Sequence, residues 1–165
     1  MHTLYMKQKA LSLRGRFSIK NEQEQEQEQD QYLVEGSFMK IPKSFSITTT
    51  DGEEIATITK KTLSLRPKFF VEVDGQTMTI EKEFSLFKAR YTIDVAGIEI
   101  DGNWWDMDFQ VKRQGEVVGQ VEKKWLSFGD SYEIQVIDAA METILIALVV
   151  AIDCVKADDA ANASS

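Results

Sequence analysis

Two residue types that carry much of enzyme chemistry occur once each in this 165-residue chain, as His2 and Cys154. One of each can build neither a disulfide framework nor a cysteine–histidine zinc site. Nucleophilic catalysis needs a nucleophile held beside a base. Serines are plentiful, but His2 adjoins the terminus, where it is expected to be mobile, and no Ser-x-x-Lys stands in a helical context. Gly97, Gly102 and Gly115 are too scattered for a phosphate-cradling loop. Asp106 and Asp108 could supply the carboxylate pair of a glycosidase. Strand alternation instead puts both on one solvated face. These patterns imply no catalytic residue, no metal site and no cofactor. An enzyme of unknown, carboxylate-based type is the alternative.

Trp104, Trp105 and Trp125 invite stacking on a sugar or base. Adjacent Trp104 and Trp105 cannot both face inward from a regular strand, so one is expected in the core and the other at a corner. The basic residues are more informative because of where they recur. A basic residue, a variable one, an apolar–Ser–apolar cluster, a polar turn and an aromatic follow each other repeatedly. The pattern reads K-A-L-S-L-R-G-R-F-S-I at 9–19 and K-T-L-S-L-R-P-K-F-F-V at 61–71. It reads E-F-S-L-F-K-A-R-Y-T-I at 83–93 and K-W-L-S-F-G-D-S-Y-E-I at 124–134, with a looser copy, S-F-M-K-I-P-K-S-F-S-I, at 37–47. Each copy reads as a hairpin corner, and such repetition signals architecture built from one supersecondary unit.

The strands that the corners join alternate apolar and polar residues, as in a sheet with one buried face. Phe17 and Ile19 share a face; so do Phe69, Val71 and Val73; so do Tyr91, Ile93 and Val95, and Tyr132, Ile134 and Val136. Asp51-Gly52, Asp74-Gly75, Ala96-Gly97 and Gln114-Gly115 mark turns at the opposite ends. Asp101-Gly102 reads as a bulge within a strand, since a turn there would leave its neighbours too short. Twelve strands result, near 3–10, 16–21, 32–39, 44–50, 54–62, 69–74, 77–85, 90–95, 98–104, 108–113, 116–125 and 131–137. Closure into an up-and-down antiparallel barrel would remove the exposed edges.

From Thr143 to Ile152 the chain carries no charge, and its apolar residues surround any helix they form. Such a helix is buried in a core or spans a membrane. Spanning needs about 20 apolar residues, and this run is bounded by Glu142 and Asp153. Asp138 can cap it and Glu142 suits its first turn. The expectation is a helix over 139–155 that plugs the lumen of a twelve-stranded barrel, which is too wide for strand side chains to fill.

The formal charge is −8, but Glu22, Glu24, Glu26, Glu28, Asp30, Asp158 and Asp159 supply seven negatives, leaving about −1 for the remainder. The acidic balance argues against general nucleic-acid binding. The alternating Glu/Gln tract at 22–31 has no apolar face and reads as a flexible, enlarged hairpin loop. Residues 157–165 read as a disordered tail beyond a single domain at 1–156. The first residues lack the apolar core of a signal peptide, which with the lone thiol favours the cytoplasm, with peripheral membrane association as an addition.

The repeated K-x-apolar-S-apolar corners, the corner W-L-S-F-G-D-S-Y-E-I and the final A-L-V-V-A-I-D helix resemble the LURP-one-related family, its bacterial YxjI-type members included. That family belongs with the tubby C-terminal domains and the phospholipid scramblases. The resemblance covers residues 4–156 and implies a twelve-stranded barrel around a central hydrophobic helix. It implies no established enzyme activity. Tubby domains bind phosphoinositides through basic surface residues and scramblases translocate lipids and bind calcium. The spacing of Asp153, Asp158 and Asp159 does not make a calcium loop.

In an up-and-down sheet every copy of the repeat falls at one rim. That rim is expected to gather Arg14, Arg16, Lys43, Arg66, Lys68, Lys88 and Arg90 from the first four corners, and Asp106, Asp108 and Asp130 from the last two. Of these, Arg14, Arg16, Arg66, Lys68, Lys88 and Arg90 form the candidate site for an anionic lipid headgroup or phosphate. The function expected is a non-enzymatic binding or scaffold domain, with a scramblase-like lipid-handling role as a further alternative. A carrier of an apolar ligand is disfavoured, because the helix takes up the lumen.

Overall fold

The computed structural model describes residues 2–7, 16–21, 30–37, 44–61, 67–84, 89–95, 97–126 and 129–163. They form twelve strands and one long helix. The strands are β1 (His2–Lys7), β2 (Arg16–Asn21), β3 (Asp30–Ser37), β4 (Ser44–Thr49), β5 (Glu54–Lys60) and β6 (Lys68–Val73). They continue as β7 (Gln76–Phe84), β8 (Ala89–Asp94), β9 (Glu99–Asn103), β10 (Asp108–Arg113), β11 (Glu116–Leu126) and β12 (Gly129–Val136). All lie in one sheet in the order β8-β7-β6-β5-β4-β3-β2-β1-β12-β11-β10-β9, so the first and last strands are neighbours. Each described ladder is antiparallel; His2 faces Val136 and Lys7 faces Ser131 across β1 and β12.

Period-2 burial runs through the sheet as the alternation predicts. Leu4 and Met6, Phe45 and Ile47, Phe69 and Val71, Met78 and Ile80, and Ile134 and Val136 all turn inward and are buried. The sheet order ends at β8 and β9, and no ladder joins these two strands among the described residues. The described residues therefore show the antiparallel sheet of the expected barrel but not its closure at this seam. β9 has five residues, most of them exposed, so pairing there has the least apolar area to support it. The predicted bulge at Asp101-Gly102 is absent: the β9–β10 ladder passes through Gly102 opposite Phe109 without a register shift. Gly102 has φ +119°, and a Cβ there would lie 2.7 Å from the Asp108 carbonyl oxygen. Glycine thus replaces the bulge by allowing a close strand approach.

After β12, Asp138 caps a single 3-10 turn, Ala139–Met141, by accepting a 3.0 Å hydrogen bond from the Ala140 N–H. The helix α1 then runs from Glu142 to Ala163. Ile144 through Val155 are all buried, Asp153 included. The helix packs against β5, β6 and β12, and no helix among the described residues is long and apolar enough to cross a membrane. Its end corrects the sequence reading. Residues 157–163, expected as a disordered tail, continue the helix, and Asp158 is fully buried. The cause is a specific ion pair to the sheet, described below, which apolar patterning does not reveal.

Of the Glu/Gln tract, residues 22–29 lie outside the described residues, while Asp30 and Gln31 already belong to β3, with Asp30 opposite Lys20. Replacing 22–29 with Asn-Gly should leave the melting temperature unchanged or raise it, because lengthening a surface loop adds little closure entropy. A thermal melt that falls by several degrees would show that the tract docks.

Candidate functional site

The up-and-down order sends every odd-to-even connection to one end of the sheet, here the corner rim, and every even-to-odd connection to the other, the tip rim. The strand ends that flank the repeat's polar turns therefore share the corner rim. Arg14, Lys43, Arg66 and Lys88 lie outside the described residues. Arg16 opens β2 and Arg90 lies near the start of β8, both at this rim, and each is registered directly opposite a glutamate: Arg16 opposite Glu35, Arg90 opposite Glu83. Lys68 follows the same rule opposite Glu81, with its Nζ 3.9 Å from the Glu81 carboxylate and 5.4 Å from the centre of the Phe70 ring. Three of the expected anion-binding cations thus start with a cross-strand acid.

Other cations at this rim were missed. Lys7, Lys61, Lys123 and Lys124 are all exposed at the ends of odd strands. Lys7, Lys61 and Lys123 make no ion pair with any described residue. Lys124 bonds Glu122 at 3.1 Å; that hydrogen bond, then the charges of Glu133 and Glu122, raise its pKa. The signal was present in the sequence: Lys61 and Lys124 are the leading lysines of two copies of the repeat. The expected acidic side is also at this rim, with Asp106 and Asp108 exposed in the β9–β10 corner. Asp106 accepts from the Asn103 side chain at 2.6 Å. Asp130, in β12, is registered opposite Trp125.

The end of α1 reaches the same rim. Lys60 Nζ lies 2.7 Å from a carboxylate oxygen of the buried Asp158, and Lys82 Nζ lies 2.8 Å from Asp159. These acids sit at the negative end of the helix dipole, where carboxylates are disfavoured; the two lysines supply the compensating charge. One turn deeper, Tyr132 donates to the buried Asp153 at 3.3 Å. Trp104 and Trp105 meet edge to face at 5.8 Å in the β9–β10 corner, both half-buried against the core, with Lys156 over the Trp105 ring. Neither is the lone core residue that strand alternation predicts, because both lie in a turn.

The tip rim has the opposite character. His2, placed by sequence reasoning at a mobile terminus, is held in β1, and its Nε2 bonds Glu142. Tyr32 donates to the other oxygen of Glu142, and Thr143 donates to Asp74 at 2.5 Å. Burial first, then the hydrogen bond and charge of Glu142, push the Tyr32 hydroxyl pKa well above its usual value. A protonated phenol is a donor, not a nucleophile, so this cluster fastens the start of α1 to the sheet. A groove of about 560 Å³ between the β4–β5 and β6–β7 tips is lined by Glu53, Glu54, Glu72 and Asp74, a poor setting for an anion. Among the described residues no group of three His, Cys, Asp or Glu side chains could hold a metal ion.

Comparison with known proteins adds a family and a fold. The sequence pattern of the LURP-one-related family matches residues 2–153. The uncharacterised protein YxjI of Bacillus subtilis (strain 168) is 34% identical over 155 residues, covering 92% of this chain and 91% of that protein. An X-ray structure of a protein from Arabidopsis thaliana superposes with a TM-score of 0.51 at 14% identity, covering 90% of each chain. That last likeness is one of fold alone.

Proposed function

We propose, from the premise that this chain belongs to the LURP-one-related family, that it is a non-enzymatic binding domain of the tubby-like kind whose corner rim takes a phosphate-bearing anion. In this reading β8 and β9 close the sheet into a barrel, α1 fills it, and the repeated corners present cations at one end. The single observation that carries the reading is the gathering of exposed Lys7, Lys61, Lys123 and Lys124 at the rim onto which the basic corners open. Arg14, Arg66 and Lys88, and the strand-end Arg16, Lys68 and Arg90, would add to it. A lipid headgroup and free phosphate share this chemistry, and cations near an anionic surface contribute about 1 kcal/mol each.

Lys61 and Lys123 give a cleaner test than Lys68, where a glutamate would face Glu81 across the ladder. Lys61→Glu with Lys123→Glu should weaken binding by about 2 kcal/mol, roughly thirtyfold. The melting temperature should hold, since exposed charges contribute little to folding. Titration with inorganic phosphate and sedimentation with phosphatidylserine vesicles, both at low salt, separate the two ligand sources. Wild-type protein that binds neither would overturn the reading.

A further inference from the structure

The described charges are sorted along the axis of the wrapped sheet. Asp51, Glu53, Glu54, Asp74, Glu116 and Asp138 are exposed at the tip rim, against Arg113. Lys7, Lys61, Lys123 and Lys124 are exposed at the corner rim, against Glu35, Asp106 and Asp108. A molecule with charge −8 overall is thus oriented by an anionic plane, its tips repelled and its corners attracted. All three tryptophans stand at the attracted end: Trp104 and Trp105 in the β9–β10 corner and Trp125 near the end of β11.

Among the described residues two large apolar side chains are exposed, Ile137 at 39% and Trp125, far more fully, at 78%. Trp125 continues the series Gly119, Val121, Lys123, whose first two members are buried. β11, eleven residues long, carries this series past the last covered position, so that a large aromatic stands in water beside two exposed lysines. Indole, apolar in body with one N–H donor, suits the boundary between acyl chains and headgroups. Neighbouring lysines reach anionic headgroups from the same position. A free phosphate would use the lysines but gives the indole nothing to bury.

We infer that the corner rim docks on an anionic bilayer surface, with Trp125 seated at the headgroup boundary and the acidic tips pointing away. This rests on the anion-binding reading above and commits it to a lipid surface. The test uses the full chain with phosphatidylcholine/phosphatidylserine vesicles, with and without brominated acyl chains, and inorganic phosphate as a separate arm. Trp125→Ala should weaken vesicle binding about tenfold while leaving phosphate binding and the melting temperature as they are. Brominated lipid should quench the wild-type fluorescence, and Trp125→Phe should lose that quenching while still sedimenting with vesicles. Vesicle binding that is indifferent to Trp125 and unaccompanied by quenching overturns the inference but leaves the anion-binding reading in place. So does binding of phosphate without vesicles. Binding of neither removes both.

Discussion

Leu145→Asp should leave a protein without a cooperative unfolding transition at room temperature. Leu145 is fully buried on α1, and the helix meets β11 there so closely that a Cβ on Gly119 would lie 2.5 Å from its Cδ1. Loss of the leucine costs about 2–5 kcal/mol, and an aspartate among apolar neighbours adds several kcal/mol more. Together these approach the roughly 5–15 kcal/mol by which a domain is stable. Leu148→Asp, at another buried position on the helix, should do the same. Circular dichroism melts and proton NMR dispersion read the outcome. A folded Leu145→Asp protein melting within a few degrees of wild type would mean that the helix is not the core of the sheet.

Lys60→Ala should be the most damaging change among the charged residues of the corner rim, lowering stability by about 2–3 kcal/mol. Its partner Asp158 is fully buried, 2.7 Å away and at the negative end of the helix dipole. Lys82→Ala is the internal control. Its partner Asp159 is partly exposed, water can replace the lysine, and the loss should be about 1 kcal/mol. Asp158→Asn in the Lys60→Ala background should recover part of the deficit, because it removes the carboxylate that the lysine served. Denaturant midpoints for the three variants give the comparison. Equal losses for Lys60→Ala and Lys82→Ala would show that α1 is not anchored at its C-terminal end.

The strands and the helix were legible because each carries its own signal. Alternation in Phe69-x-Val71-x-Val73 marks a buried face, and the uncharged residues from Thr143 to Ile152 allow no solvated helix face. The corner repeat gave the rim for the same local reason. What escaped depends on which residues meet across the fold. Asp153 and Asp158 look like solvated acids until Tyr132 and Lys60 are brought to them by β12 and β5. His2 looks like a loose terminus until pairing with β12 sets it beside Glu142. The glutamates opposite Arg16, Lys68 and Arg90 follow from ladder register, which a one-residue slip would undo. Gly102 reads as a bulge in the sequence because glycine serves a bulge and a close strand approach alike. The candidate site was therefore legible as a place more than as a set of partners: its rim follows from the repeat, while the pairing of its cations had to come from the ladders.

The most direct test of the central claim, that the corner rim binds phosphate-bearing anions, is an amide NMR titration of the wild-type chain with a soluble short-chain phosphatidylserine. At low salt, shift changes should concentrate at Lys7, Lys61, Lys123, Lys124 and Trp125. They should fade as salt shortens the Debye length from about 30 Å at 0.01 M to about 8 Å at 0.15 M. Changes concentrated at the tip rim around Asp51, Asp74 and Glu116, or none at any lipid concentration in low salt, would contradict it.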